Sequence, residues 1–183
     1  MPRISPLLAT LLSLAFGPSL CADPAKDRRR PTEFGIIFQM GYAGDHFPQE
    51  PKAFETLLQA VKAANYNTVL CKHTPWREEL CRKHGIKMMV DLLVGDHHVY
   101  KSPEGAEKLC TSLRKSETIY AYHLWSDRMG GKVAGRNRDV ANVQKWDPNH
   151  ATYVGDYKAS EIPGLTNPDL VGYYDFHWKR GGH

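Results

Sequence analysis

Acidic, imidazole and aromatic side chains stand at the ends of several apolar runs in this sequence. Asp127 follows the run "YAYHLW" and precedes the turn "RMGG", where a carboxyl group suits general acid or base chemistry. Histidine suits the same chemistry, and it also binds metal ions. The candidate site residues are Gln39, His73, Asp91, His123, Trp125, Asp127, Asp156, Asp175, His177 and Trp178.

Asp127 also has a simpler interpretation. An aspartate before a glycine-rich turn often only caps the backbone with its carboxylate. Asp175 and His177, by contrast, share one face of a strand and stand beside Trp178. Polar groups on one face near aromatic rings favour a ligand pocket over a core.

The elements that must position these residues are apolar, β-branched or aromatic runs of strand length. Their composition predicts six β-strands. The predicted strands cover residues 34 to 40, 67 to 72, 86 to 93, 118 to 125, 151 to 157 and 169 to 178.

Helices are predicted between most of these strands. Apolar residues recur at three- and four-residue spacing, and prolines and a glycine mark helix ends. The predicted helices are 51 to 65, with Phe54, Leu57, Leu58, Val61 and Ala64 inward; one from the N-cap Thr74 to Gly85; one starting at Ser102-Pro103; and one from about Asn137 to Trp146.

Strands that alternate with helices predict a parallel sheet of right-handed βαβ units. The sheet could be open and doubly wound, or it could belong to a (β/α)₈ barrel. The segment "FQMGYAGDHF" after the first strand contains no phosphate-binding glycine motif, which disfavours a nucleotide-binding open sheet. In both architectures the site lies at the carboxyl ends of the strands.

The sequence therefore predicts an α/β fold of the (β/α)₈ TIM-barrel type that is incomplete, with about six β/α units. A closed barrel needs eight strands. We expect the sequence to be the N-terminal part of a longer protein, truncated before strand seven. An arc of six strands has two open sheet edges, through which it could self-associate.

The composition and the N-terminus predict an exported protein. Residues 1 to 22 have the basic, apolar and small-residue pattern of a secretory signal peptide, residues 23 to 33 form a flexible basic linker, and 34 to 183 form the barrel part. The apolar run is too short to span a membrane. The formal net charge is +4, and the positive and negative residues are mixed along the chain, so no nucleic-acid partner is expected. The expected location is secreted or periplasmic.

The segment "AYHLWSDR" after the fourth strand resembles the "Y-x-L-W-D-E-P" or "W-x-x-N-E" segment of TIM-barrel glycoside hydrolases of clan A, including β-galactosidase-like and agarase-like enzymes. The resemblance extends over roughly residues 34 to 178 as strand order and polarity at the strand ends. Ser126 stands where the clan has asparagine, and Asp127 stands where it has glutamate.

The resemblance implies that Asp127 is the general acid/base of a glycoside hydrolase. The other candidate residues would then bind a poly- or oligosaccharide, and no metal and no cofactor would be needed. The clan's nucleophile comes from a seventh strand, which the six predicted strands do not include. Glycoside hydrolysis needs two carboxyl groups, so one aspartate alone is insufficient.

Two other functions stay open at this point. The first is a non-catalytic, carbohydrate-binding remnant of such an enzyme. The second is a metal-dependent TIM-barrel hydrolase or isomerase that uses His73, Asp91, His123 and His177 as ligands.

Overall fold

A computed structural model describes residues 31, 33–39, 47–93, 99, 101–125, 133–156 and 162–173, with Trp125, Asp156 and Tyr173 described by their backbone. These residues form six strands, four α-helices and one short 3₁₀ helix. In chain order they are β1 (Ile37–Gln39), α1 (Pro51–Ala63), β2 (Thr68–Cys71), α2 (Pro75–His84), β3 (Lys87–Asp91), α3 (Pro103–Leu113), β4 (Ile119–Trp125), α4 (Val133–Trp146), β5 (Ala151–Asp156), the 3₁₀ helix (Ile162–Gly164) and β6 (Leu170–Tyr173).

The six strands form one parallel sheet in the order of the sequence. Each strand pairs in parallel with the strand that follows it in the chain. The sheet is curled into part of a barrel, with the helices alternating between the strands. The prediction of an incomplete (β/α) barrel is therefore confirmed for the described residues.

Local signals in the sequence explain where two of the helices begin. The side chain of Thr74 accepts a hydrogen bond from the Arg77 amide at 3.3 Å, and Pro75 opens α2. Helix α2 ends at His84, and its C-cap Gly85 has a φ of 64°, the left-handed conformation that favours glycine. Ser102 caps α3 in the same way as Thr74 caps α2, through the Gly105 amide at 3.3 Å.

The sheet has an apolar layer on each face. Val69 and Met88 pack against helix residues, whereas their chain neighbours Leu70 and Met89 belong to a smaller cluster. Because side chains alternate along a strand, the two clusters lie on opposite faces. The smaller one therefore fills the barrel interior.

The inward residues predicted for α1 are buried or half-buried apart from one. Ala64 is exposed, because α1 ends one residue before it and Ala64 forms the C-cap. Trp146, at the end of α4, is buried. The three cysteines of the described chain are buried free thiols, and burial raises the pKa of Cys71 to about 12.

Candidate functional site

Asp91 and His123 lie side by side in the barrel interior. They are paired in register on the neighbouring strands β3 and β4. The Asp91 Oδ1 atom is 3.5 Å from His123 Nδ1, and their side chains are only 1% and 2% exposed. The structure therefore brings together two of the predicted site residues.

The backbone holds Asp91 in place. Its Oδ1 atom accepts a hydrogen bond from the Leu93 amide at 2.9 Å, which fixes the turn after β3. The next amide, that of Leu92, donates to the His123 carbonyl at 3.0 Å. The backbone thus orients the Asp91 carboxylate independently of the His123 imidazole.

The imidazole of His123 is not hydrogen bonded within the part of the chain that the structure describes. Neither Nδ1 nor Nε2 has a hydrogen-bond partner there, although both atoms are buried. The 3.5 Å separation from Asp91 is longer than an ordinary N–H···O bond of about 2.9 Å. The pair is therefore a loose electrostatic contact.

Tyr153 extends this pair into a polar row across three strands. It is paired in register with His123 on β5, and the two rings are 5.4 Å apart and tilted by 39°. The phenol lies over Gly172 of β6, where an added Cβ atom would be 1.9 Å from the hydroxyl oxygen. Glycine at position 172 therefore gives the Tyr153 ring its space.

The interior row Asp91, His123 and Tyr153 lies directly above an apolar layer. Each member stands two residues after a residue of the interior cluster, nearer the carboxyl end of its strand. The three apolar residues beneath are Met89, Ala121 and Ala151. A floor of small and apolar residues beneath convergent polar groups is typical of a ligand site.

The other predicted site residues are distributed as follows. Gln39 is exposed and ends β1, and the backbones of Trp125 and Asp156 end β4 and β5. The register between β4 and β5 shifts between His123 and Trp125, so the strand pairing is irregular where β4 approaches the site. The residues Asp127, Asp175, His177 and Trp178 lie outside the described residues.

His73 belongs to a different polar network, which we call the outer network: His73, Glu78, Ser116, Tyr122, Asp147 and His150. His73 Nε2 is 2.7 Å from Glu78 Oε2, and Ser116 Oγ donates to Glu78 Oε1 at 2.5 Å. No hydrogen bond or ion pair among the described residues joins His73 to Asp91 or His123. The structure therefore does not bring His73 into the interior row.

The far end of the outer network is a buried carboxylate. Asp147 Oδ2 accepts from the Tyr122 hydroxyl at 2.6 Å and lies 2.7 Å from His150 Nδ1. His150 Nε2 lies 2.9 Å from the Ser116 carbonyl oxygen, which joins the two ends. Tyr122 packs with the helix-side core, so this network lies on the opposite face of β4 from His123.

Hydrogen bonds lower the pKa values of both acids in the outer network. Burial alone raises the pKa of Glu78, but the hydrogen bonds from Ser116 and His73 outweigh it and hold the pKa below the usual carboxyl range. Burial also raises the pKa of Asp147, and the hydrogen bonds of His150 and Tyr122 again lower it. Both groups are therefore charged at neutral pH.

The described chain offers no preformed metal centre. Among its residues, no three histidine, cysteine or acidic side chains converge as a metal site would need. Two of the four ligands considered from the sequence, Asp91 and His123, are close together, whereas His73 bonds to Glu78. His177 lies outside the described residues.

Sequence reasoning did not single out Tyr153 or Gly172. The sequence does contain a signal for Tyr153. It stands two residues after Ala151 in "ATYVGDY" and so shares its strand face. Gly172 interrupts a strand, where a glycine often marks the close approach of another group. Neither signal identifies the partner without the register between β4, β5 and β6.

Solved glycoside hydrolases share the fold of this chain. A glycosyl hydrolase family 2 member from Bacteroides cellulosilyticus DSM 14838 aligns with a TM-score of 0.55 and 14% identity, over 79% of this chain and 22% of that one. Endo-glycoceramidase II from Rhodococcus sp. aligns in a five-membered iminocyclitol complex with a TM-score of 0.53 and 12% identity, over 84% of this chain and 60% of that one.

The same endo-glycoceramidase in a cellobiose-like imidazole complex aligns with a TM-score of 0.51 and 13% identity, over 82% of this chain and 58% of that one. The chain thus spans between about a fifth and three fifths of the length of these enzymes. No protein-family model and no curated protein sequence matches it. At these identities the likeness shows the fold: the chain has the (β/α)-barrel fold of these glycoside hydrolases, as an arc of six strands.

Proposed function

We propose that this chain belongs to an exported carbohydrate-active protein that binds an oligo- or polysaccharide at the carboxyl ends of its strands. The observation that carries the proposal is the interior row, Asp91, His123 and Tyr153. It lies at the end of the sheet where enzymes of this architecture have their sites. Carboxylate, imidazole and phenol groups are suitable partners for sugar hydroxyls.

Hydrolysis would require Asp127 as general acid/base together with a second carboxyl group. The two groups must be about 5 Å apart for retention or about 6.5 to 9.5 Å for inversion. By the resemblance, the nucleophile would follow a seventh strand, beyond the six described here. Gln39, Trp125, Asp156, Asp175, His177 and Trp178 would line the remaining sugar-binding surface.

Non-catalytic carbohydrate binding is the second candidate function, and the position of Asp91 favours it. The Oδ1 atom of Asp91 accepts from the Leu93 amide and lies 3.5 Å from His123 Nδ1. A carboxylate held in this way is poorly placed to attack a sugar. Asp91 is therefore better suited to orienting the His123 imidazole than to acting as the partner of Asp127.

Hydrolysis of cellohexaose by the protein purified from its native source distinguishes these two functions. Removing the general acid lowers the rate of hydrolysis about 10²- to 10⁴-fold, so we expect a decrease of that size for Asp127→Asn. Glu107→Gln, on the exposed surface of α3, removes the same charge and is the control. Binding without turnover would support the non-catalytic function, and an unchanged rate would remove Asp127 from the mechanism.

Export is part of the proposal and has a separate test. The N-terminal pattern predicts removal of residues 1 to 22. We expect N-terminal sequencing of the secreted or periplasmic protein to begin at Asp23. A chain that retains Met1 in the cytoplasm would contradict export.

A further inference from the structure

His123 is a buried polar group whose two ring nitrogens lack hydrogen-bond partners in the described part of the chain. The residue is 1% exposed, and it lies in the interior row between Asp91 and Tyr153. A buried polar group without a hydrogen bond destabilises the fold, and such groups are rare unless they have a function. A purely structural side chain at this position could be apolar, as Ala121 is two residues earlier.

The surroundings of His123 make its two nitrogens different. Nδ1 faces Asp91, whose carboxylate is oriented by the Leu93 amide. An anion on that side favours the hydrogen on Nδ1, which leaves the lone pair on Nε2. Nε2 is then a hydrogen-bond acceptor in the barrel interior.

We infer that His123 Nε2 accepts a hydrogen bond from a hydroxyl group of the bound carbohydrate, with Asp91 as the residue that positions the imidazole. This inference rests on the proposed function, which supplies the ligand. A neutral hydroxyl fits because it can donate to Nε2, whereas the Asp91 carboxylate disfavours an anionic ligand group. Tyr153, which is half-buried beside the imidazole, provides an aromatic ring at the same level.

The first test replaces His123 by leucine, which has a similar volume and no polar atoms. Because the imidazole has no hydrogen bond to lose within the described chain, we expect the melting temperature of His123→Leu to stay level or rise. Binding of cellohexaose, measured by calorimetry, should weaken about three- to tenfold, the value of one hydrogen bond.

Two further variants complete this test. Tyr122→Phe, on the opposite face of β4, removes a hydrogen bond to the buried Asp147 and is the matched control. It should lower the melting temperature by about 2 to 4 °C and leave binding unchanged. His123→Gln keeps an acceptor oxygen, so it should bind more tightly than His123→Leu.

The outcomes separate this inference from the proposed function. If the wild-type protein binds cellohexaose and His123→Leu binds it equally well, a water rather than the ligand occupies Nε2 and the inference is wrong. If His123→Leu loses several degrees of melting temperature, the imidazole is structural and the inference is also wrong. If the wild-type protein does not bind cellohexaose, carbohydrate binding is overturned for this ligand, and the inference falls with it.

The role of Asp91 is tested by a readout that a structural role would not move. In protein labelled with ¹⁵N-histidine, long-range ¹H–¹⁵N correlations show which ring nitrogen carries the hydrogen. We expect the Nδ1–H form of His123 in the wild type and a mixture of both forms in Asp91→Asn, whose amide can still accept from Leu93. The Nε2–H form in the wild type would overturn the positioning role.

Discussion

Two aspartate–histidine pairs lie close to β4, and they differ in how completely they are hydrogen bonded. Asp147 and His150 lie three residues apart in the chain, their contact is 2.7 Å, and Tyr122 and Ser116 complete their hydrogen bonds. Asp91 and His123 are separated in sequence and approach only to 3.5 Å. The first pair can be assigned to the structure of the fold, whereas the imidazole of the second has no hydrogen-bond partner among the described residues.

The candidate site could be predicted only partly from the sequence, because the sequence does not show which polar side chains pair with one another. The polarity of Asp91 and His123 at strand ends was visible, and the structure brings them together. His73 looks equivalent in the sequence, but its ring is drawn into the outer network by Glu78. The partner of His73 comes from a neighbouring helix, and the pattern of residues within a strand does not reveal it.

The outer network predicts how stability depends on pH. The pKa of Asp147 is lowered in the folded protein, so its contribution to the free energy of unfolding is present above the usual carboxyl pKa. That contribution is lost as the pH falls through the lowered value, below about pH 4. Asp147→Asn should therefore lower the free energy of unfolding by about 1 to 3 kcal/mol at neutral pH and by less in acid.

Urea denaturation of both proteins between pH 7 and pH 3 checks this expectation. Glu107→Gln, which removes an exposed carboxylate, should follow the wild type at every pH. If the wild type and Asp147→Asn lose stability in parallel on acidification, Asp147 does not contribute in the expected way.

Among the elements, the capped helices were the easiest to predict and α4 the hardest. Thr74, Pro75 and Gly85 define α2 locally, and the structure confirms all three roles. Helix α4 begins at Val133, four residues before the expected Asn137. Its first turn contains Gly135, which weakens the helical signal. Contacts of α4 with the 3₁₀ helix, such as the 2.9 Å bond from Asn137 to the Gly164 carbonyl, favour the extra turn.

Strand β6 leads to a prediction because its glycine gives space to a side chain of β5. In Gly172→Ala the new Cβ atom would lie 1.9 Å from the Tyr153 hydroxyl oxygen, so the phenol must move away. We expect a modest destabilisation, about 1 kcal/mol, because a side chain rather than the backbone gives way. The ring protons of His123, packed 5.4 Å from the Tyr153 ring, should shift clearly in the NMR spectrum.

Gly135→Ala is the matched control for this substitution. Position 135 lies in α4, and an added Cβ atom would meet nothing within 4 Å. This variant should stabilise the protein by about 0.5 to 1 kcal/mol and leave the His123 signals in place. Unshifted His123 signals in Gly172→Ala would show that Tyr153 does not pack as described.

At the scale of the whole molecule, the order of elements was predictable and the completed site was not. Alternating apolar runs and helices are sufficient to predict a parallel sheet in chain order. No helix among the described residues is long and apolar enough to cross a membrane. The acid/base position at Asp127 and its partner carboxylate depend on loops and strands beyond the described sheet, so they stay predictions.

The two outer strands of the described sheet predict self-association. There β1 pairs with β2 alone and β6 with β5 alone. Exposed apolar side chains lie just before β1 and on β6: Phe34 is 86% exposed, Ile36 45% and Val171 44%. Unpaired edges with apolar side chains favour pairing between chains.

We expect concentration-dependent dimers or larger species of residues 31 to 183 in sedimentation velocity experiments. A double variant, Phe34→Lys with Val171→Lys, should shift them toward monomer because charged side chains at an edge oppose such pairing. Gln59→Lys, which adds a charge on the exposed face of α1, should leave the distribution unchanged. A wild-type chain that stays monomeric at all concentrations would contradict the prediction.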